Sequence, residues 1–113
     1  MTERHSFGEH IRMLREQRGL PLRKVAAALD IDPSTLSKIE RGERSANREM
    51  VAILAQQFDE DKDHLTLMLV SDRVAYELLD EKDPNQILKV AEEKLRYLKT
   101  KNLQQGKIDF DKQ

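Results

Sequence analysis

Apolar residues recur on helical spacing through most of the chain, and short breaks rich in Gly, Pro, Asp and Asn divide the pattern into segments. After Ser6, a good N-cap, Phe7, Ile11, Met13, Leu14 and Arg18 mark a first helix that Gly19 stops. Pro21 at a first helical position, followed by Val25, Ala26 and Leu29, predicts a short second helix ending at Asp30. Only the tight turn Asp30 and Ile31 separates it from Asp32 and Pro33, an N-cap and an N1 proline. These open a third helix with Leu36 and Ile39 inward and its end at Gly42. The outward residues of that helix, Ser34, Thr35, Ser37, Lys38 and Arg41, are small, polar or basic.

Glu43 to Ala46 reads as a loop, and Met50, Val51, Leu54 and Phe58 mark a fourth helix from about Asn47. The acidic group Asp59, Glu60, Asp61 and Asp63 falls where N-terminal charges of a fifth helix would favour its macrodipole. That helix is expected from about Asp61 to Leu79, with a break near Ser71 and Asp72. Asp83 and Pro84 repeat the start signal for a long last helix ending near Gly106. Along it, Leu88, Ala91, Leu95 and Leu98 alternate three and four spacings, and Ile87 and Val90 widen the stripe. Residues 1–70 are expected to form a helix-turn-helix domain, and residues 71–113 a helical extension with a short tail from Lys107 to Gln113.

Composition supports an all-α chain. Of 113 residues, 38% are apolar and 36% charged, with no Cys, no Trp and four Gly, which suits amphipathic helices better than sandwiches or barrels. The lack of Cys excludes a disulfide scaffold and thiolate zinc. With no N-terminal apolar stretch and no apolar run near ~18 residues, the cytoplasm is the expected location and no membrane is involved. The net charge of −1 is unevenly spread. Residues 1–50 hold ten Lys/Arg against eight Asp/Glu, and residues 51–113 hold ten against thirteen, so the front of the chain is basic and the back acidic. This polarity suits a protein that turns its N-terminal half toward phosphate.

The second helix, turn and third helix read GLPLRKVAAALDIDPSTLSKIERGERS from Gly19 to Ser45. Ala26 has to be small where the third helix crosses the second, while Val25, Leu29, Leu36 and Ile39 fill the angle between them. The start of the third helix then protrudes, and a DNA major groove about 12 Å wide admits an α-helix. This stretch resembles the phage repressor and Cro-type (XRE) helix-turn-helix family of transcriptional regulators, with the likeness extending over about residues 6 to 70. Together with the extended C-terminal region, LRKVAAALDID and LSKIERGER are similar to a branch of that family encoded beside restriction-modification genes.

The resemblance implies a five-helix repressor-like domain that binds double-stranded DNA, and it assigns roles by position. Pro33, Ser34, Ser37 and Lys38 take base-contacting positions. Lys38 can donate to guanine O6/N7, the serine hydroxyls can donate or accept, and Pro33 offers only apolar contact. Thr35, Arg41 and Arg44 fall at backbone-contacting positions, Arg48 at one that enters a narrowed minor groove in some relatives, and Arg23 is left to take a phosphate contact that Leu22 cannot make. Arg15 and Glu40 match a partly buried structural ion pair. Two departures stand out. Leu22 replaces the usual Gln, which anchors on phosphate and braces base-reading side chains. Asp30 replaces the usual Gly, although Asp tolerates the left-handed conformation well.

His5, His10 and His64 share no ligand spacing and read as ordinary surface histidines, so no metal is expected. The Asp/Glu pairs read as solvated faces, with no catalytic residue and no cofactor. The sequence thus describes a non-enzymatic DNA-binding regulator acting as a homodimer on a two-fold operator, with Leu88, Ala91, Leu95 and Leu98 as the dimer surface. An antitoxin that represses its own operon and holds a protein partner from that operon is the alternative. A protein-interaction module that has lost DNA binding is a third reading, for which Leu22 and the net charge speak.

Overall fold

Each helix forms where the spacing of apolar residues and its end signals coincide. The computed structural model describes residues 5–104, side chains through residue 102, and the described residues are all-helical with no strand. In order they are α1 (Phe7–Gln17), α2 (Leu22–Leu29), α3 (Pro33–Glu40), α4 (Arg48–Phe58), α5 (Lys62–Leu78) and α6 (Pro84–Gln104). The tail from Lys107 and the helix end expected near Gly106 lie outside the described residues.

The helix starts are held by side chains. Ser6 and Glu9 form a reciprocal capping box on α1, Ser6 Oγ accepting from Glu9 N at 3.1 Å and Glu9 Oε1 from Ser6 N at 2.9 Å. A carboxylate from α5 adds to it, Asp72 Oδ2 accepting from Phe7 N at 2.8 Å at the positive end of the α1 dipole. Asn47 Oδ1 caps α4 at Met50 N, 2.9 Å away, and Asp83 Oδ1 caps α6 at Gln86 N, 3.1 Å away. Two starts differ from expectation. Pro21 is the N-cap of α2 rather than its first residue, because its ψ of 154° is extended. Asp32 makes no side-chain cap bond, so Pro33, with its fixed φ, does the work at α3.

The first four helices all end on a left-handed residue: Gly19, Asp30, Gly42 and Asp59. At each end two backbone bonds close the last turn, for instance Gly42 N to Ile39 O at 3.1 Å and Glu43 N to Lys38 O at 2.8 Å. Asp30, with φ of 57°, performs the turn between α2 and α3 that a glycine would otherwise make. Asp59 does the same after α4, so it terminates one helix instead of starting the next. Only Asp61 and Asp63 of that acidic group serve the start of α5, with Asp61 Oδ1 accepting from Asp63 N at 3.1 Å.

Phe7, Ile11 and Leu14 of α1, Val25, Ala26 and Leu29 of α2, Leu36 and Ile39 of α3, Ala46, Val51, Leu54 and Phe58 around α4, and Leu65, Met68 and Leu69 of α5 form one core. Gly8 lies where α1 meets the end of α3. A β-carbon there would press on Ile39 O and come within 2.8 Å of Glu40 O, so the two backbones approach too closely for any side chain. Arg18 ties the ends of α1 and α4 together, donating to Phe58 O at 2.6 Å and lying 5.6 Å from the centre of the Phe58 ring.

α5 runs unbroken through Ser71 and Asp72. Ser71 Oγ bonds back to Met68 O at 3.2 Å without breaking the helix, and the Asp72 carboxylate is engaged with α1 rather than with its own backbone. Among the described residues, those through Glu77 pack as one unit and those from Leu78 as a second, and the division thus lies beyond residue 70. His10 is buried in the first unit rather than lying on its surface, and it packs edge-to-face on His64 with ring centres 5.6 Å apart.

Candidate nucleic-acid interface

α3 is eight residues long, about 12 Å at 1.5 Å per residue, and one side of it is sunk in the core. Leu36, Ile39 and Glu40 face inward, and Ala26 of α2 is fully buried in the core. What remains outward is Pro33, Ser34 and Lys38, all exposed, with Thr35 and Ser37 half-buried beside them. α3 therefore shows a proline, hydroxyls and one ammonium on a rigid support.

Four of the arginines singled out by sequence are exposed. Arg23 sits in the first turn of α2, Arg41 and Arg44 follow the end of α3, and Arg48 is the first residue of α4. The loop that carries Arg44 is fixed at its far end, where Arg73 of α5 donates to Ala46 O at 3.2 Å and Asn47 caps α4. Leu22 is half-buried and packs against the core, so the side chain at that position braces the domain and presents no polar group outward.

Two groups of these residues are joined by hydrogen bonds. Arg15 and Glu40 form a two-pronged ion pair behind α3, Nε to Oε2 at 2.8 Å and Nη2 to Oε1 at 3.1 Å. The hydrogen bonds that Arg15 donates to the Glu40 carboxylate raise its pKa further above its already high ordinary value. On the outer side, Arg41 Nη1 donates to Ser37 Oγ at 2.6 Å, while its Nε and Nη2 grip Glu43 at 2.9 and 3.2 Å. That contact raises the Arg41 pKa and holds the Glu43 carboxyl below its ordinary range. Glu43 was not among the residues singled out by sequence. Its signal was an acid just past a helix end, where the dipole disfavours it, two residues after an arginine.

Leu88, Ala91, Leu95 and Leu98 all lie on α6 in the second unit and are exposed. Among the described residues no group of His, Asp and Glu could hold a metal ion, and no helix is long and apolar enough to cross a membrane.

A short helix braced from behind by core residues and an ion pair, set a tight turn after another, with polar and basic side chains outward, defines a helix-turn-helix fold. Residues 11–65 match the family described as Helix-turn-helix. Among solved structures, the clp gene regulator ClgR from C. glutamicum is similar in fold. The match has 24% sequence identity and a TM-score of 0.50, and covers 64% of this chain and 94% of that one. No curated protein matches the chain.

Proposed function

We propose that the chain is a sequence-specific transcriptional regulator that binds a two-fold DNA operator as a homodimer. The observation that carries this reading is the outward face of α3, where exposed Ser34 and Lys38 stand on a helix whose opposite side is locked into the core. In this reading Pro33, Ser34, Ser37 and Lys38 meet base edges in the major groove. Arg23, Thr35, Arg41 and Arg44 meet the phosphate backbone, and Arg48 reaches the minor groove.

The homodimer rests on a second observation. One eight-residue helix touches only a few base pairs, so discrimination among genomic sites calls for two copies about 34 Å apart. Leu88, Leu95 and Leu98 keep 45%, 57% and 39% of their surface exposed along α6, an apolar stripe of the kind that pairs between copies.

Selection of bound duplexes from a random pool, followed by sedimentation of the protein alone and with the selected duplex, tests both parts. The expected result is a palindromic consensus bound by two chains. A selected pool without consensus would reject sequence-specific reading, and a single chain on an asymmetric site would reject the dimer.

A further inference from the structure

Gly42, with φ of 78°, turns the chain at the end of α3 so that Glu43 N bonds to Lys38 O at 2.8 Å. The same turn brings the Glu43 carboxylate back across the Arg41 guanidinium. Nε and Nη2 of Arg41 meet Oε2 and Oε1 at 2.9 and 3.2 Å, the two-pronged geometry in which a guanidinium also holds a phosphate. The third nitrogen of the fork, Nη1, is occupied by Ser37 Oγ at 2.6 Å. Lys38 acts on the same carboxylate electrostatically.

Nothing in the fold needs this pair. Both side chains are about half exposed, and exposed pairs contribute little to stability. The end of the helix is already closed by backbone bonds, and an acid beyond a helix C-terminus opposes the dipole. The carboxylate stands where it engages Arg41, the cation that caps the end of α3.

We propose that Glu43 is an internal stand-in for DNA phosphate, holding the Arg41 fork in the unbound protein and exchanged for a backbone phosphate when DNA docks. The inference rests on the DNA-binding reading above. The exchange does two things. It sets a lower affinity for all DNA by making Arg41 give up one anion for another, so fewer counterions are released per contact. It also changes Ser37. While Arg41 Nη1 donates to it, the hydroxyl has its O–H and one lone pair left, and a shift of the fork toward phosphate that breaks the Nη1 contact returns the second lone pair for a base edge.

The test is a cycle of Glu43→Gln, Arg41→Ala and the double variant, measured as affinity against salt on both the selected duplex and a random-sequence duplex. Glutamine keeps the backbone cap and the side-chain size, and circular dichroism checks that all variants stay folded. E43Q is expected to bind both duplexes about 3–10-fold more tightly at low salt, with the advantage shrinking as salt rises and the log K against log salt slope steeper by up to about one. In the R41A background the gain should largely vanish. An unchanged affinity and slope for E43Q, with the wild type binding normally, would overturn the exchange and leave the DNA-binding reading intact. An equal gain in both backgrounds would also overturn it, because that is plain repulsion between Glu43 and DNA. Failure of the wild type to bind either duplex at any salt would remove the inference together with the reading beneath it.

Discussion

Glu40 is the last residue of the outward-reading helix, yet its carboxylate turns inward to take both prongs of Arg15, at 2.8 and 3.1 Å, with only 4% of its side-chain surface exposed. Arg15 also donates to Leu20 O at 3.0 Å, so one guanidinium links α1, the turn before α2 and the end of α3. The orientation of α3 is thereby tied to the helix behind it.

Glu40→Ala should therefore destabilise the domain by roughly 3 kcal/mol, the low end of what breaking a buried pair costs, since Arg15 keeps Leu20 O and some solvent. Urea unfolding followed by circular dichroism measures it. A loss well under 1 kcal/mol would mean that the pair is not holding α3 in place.

Gly8→Ala is expected to cost at least about 1–3 kcal/mol, because the added methyl meets main-chain oxygens of Ile39 and Glu40 that cannot rotate away. Gly19→Ala is the internal comparison. Gly19 has open space around it and fails only through its φ of 63°. If Gly8→Ala melts at the wild-type temperature, α1 and α3 are not in backbone contact.

Acid should weaken the domain through His10. Burial, then the neighbouring His64, hold its pKa below 6.5; His5 pushes the same way, and Glu60 opposes them. Both ring nitrogens are buried without a hydrogen-bond partner, so the folded state favours neutral imidazole. The unfolded chain takes up the proton near 6.5 and the folded one only lower, so stability is complete above that pH and falls as pH drops from 6.5 through the folded value. Melting wild type and His10→Phe at pH 7.5 and 5.5 should show a larger acid loss in the wild type. Equal losses would assign the effect to other groups, and an NMR titration of the His10 ring at or above 6.5 would contradict it directly.

At the interface, Lys38→Ala should relax preference at one base position and cost roughly 1–3 kcal/mol, as expected if Lys38 donates to guanine. Arg44→Ala should weaken all duplexes alike and lower the salt slope by about one. Single-base variants of the selected duplex separate the two patterns. Uniform loss for Lys38→Ala would place that residue on phosphate.

Leu95→Asp puts a charge in the middle of the α6 stripe. It should shift sedimentation from dimer to monomer and weaken operator binding while the first unit keeps its helicity. A variant that stays dimeric and binds normally would move the dimer contact away from Leu95.

The helices and their order were legible from local chemistry. Helical spacing of apolar residues, Ser6, Asn47 and Asp83 as caps, and Gly19 and Gly42 as stops act within a few residues of one another, so sequence carries them directly. The outward set of α3 follows as well, because once Leu36 and Ile39 are inside, Ser34 and Lys38 have nowhere else to point. Long-range packing decided the rest. Asp72 reaches α1 across 65 positions, and α5 runs whole where its own polar residues suggested a break. His10 is buried and packs on His64 of α5, a contact no spacing within α1 encodes. Glu43 is a local exception, since the left-handed Gly42 between them turns it onto Arg41 only two residues away. Propensity and capping are summed over neighbours in the chain, whereas burial and charge pairing depend on which distant segments the core brings together, and only the tertiary structure holds that information.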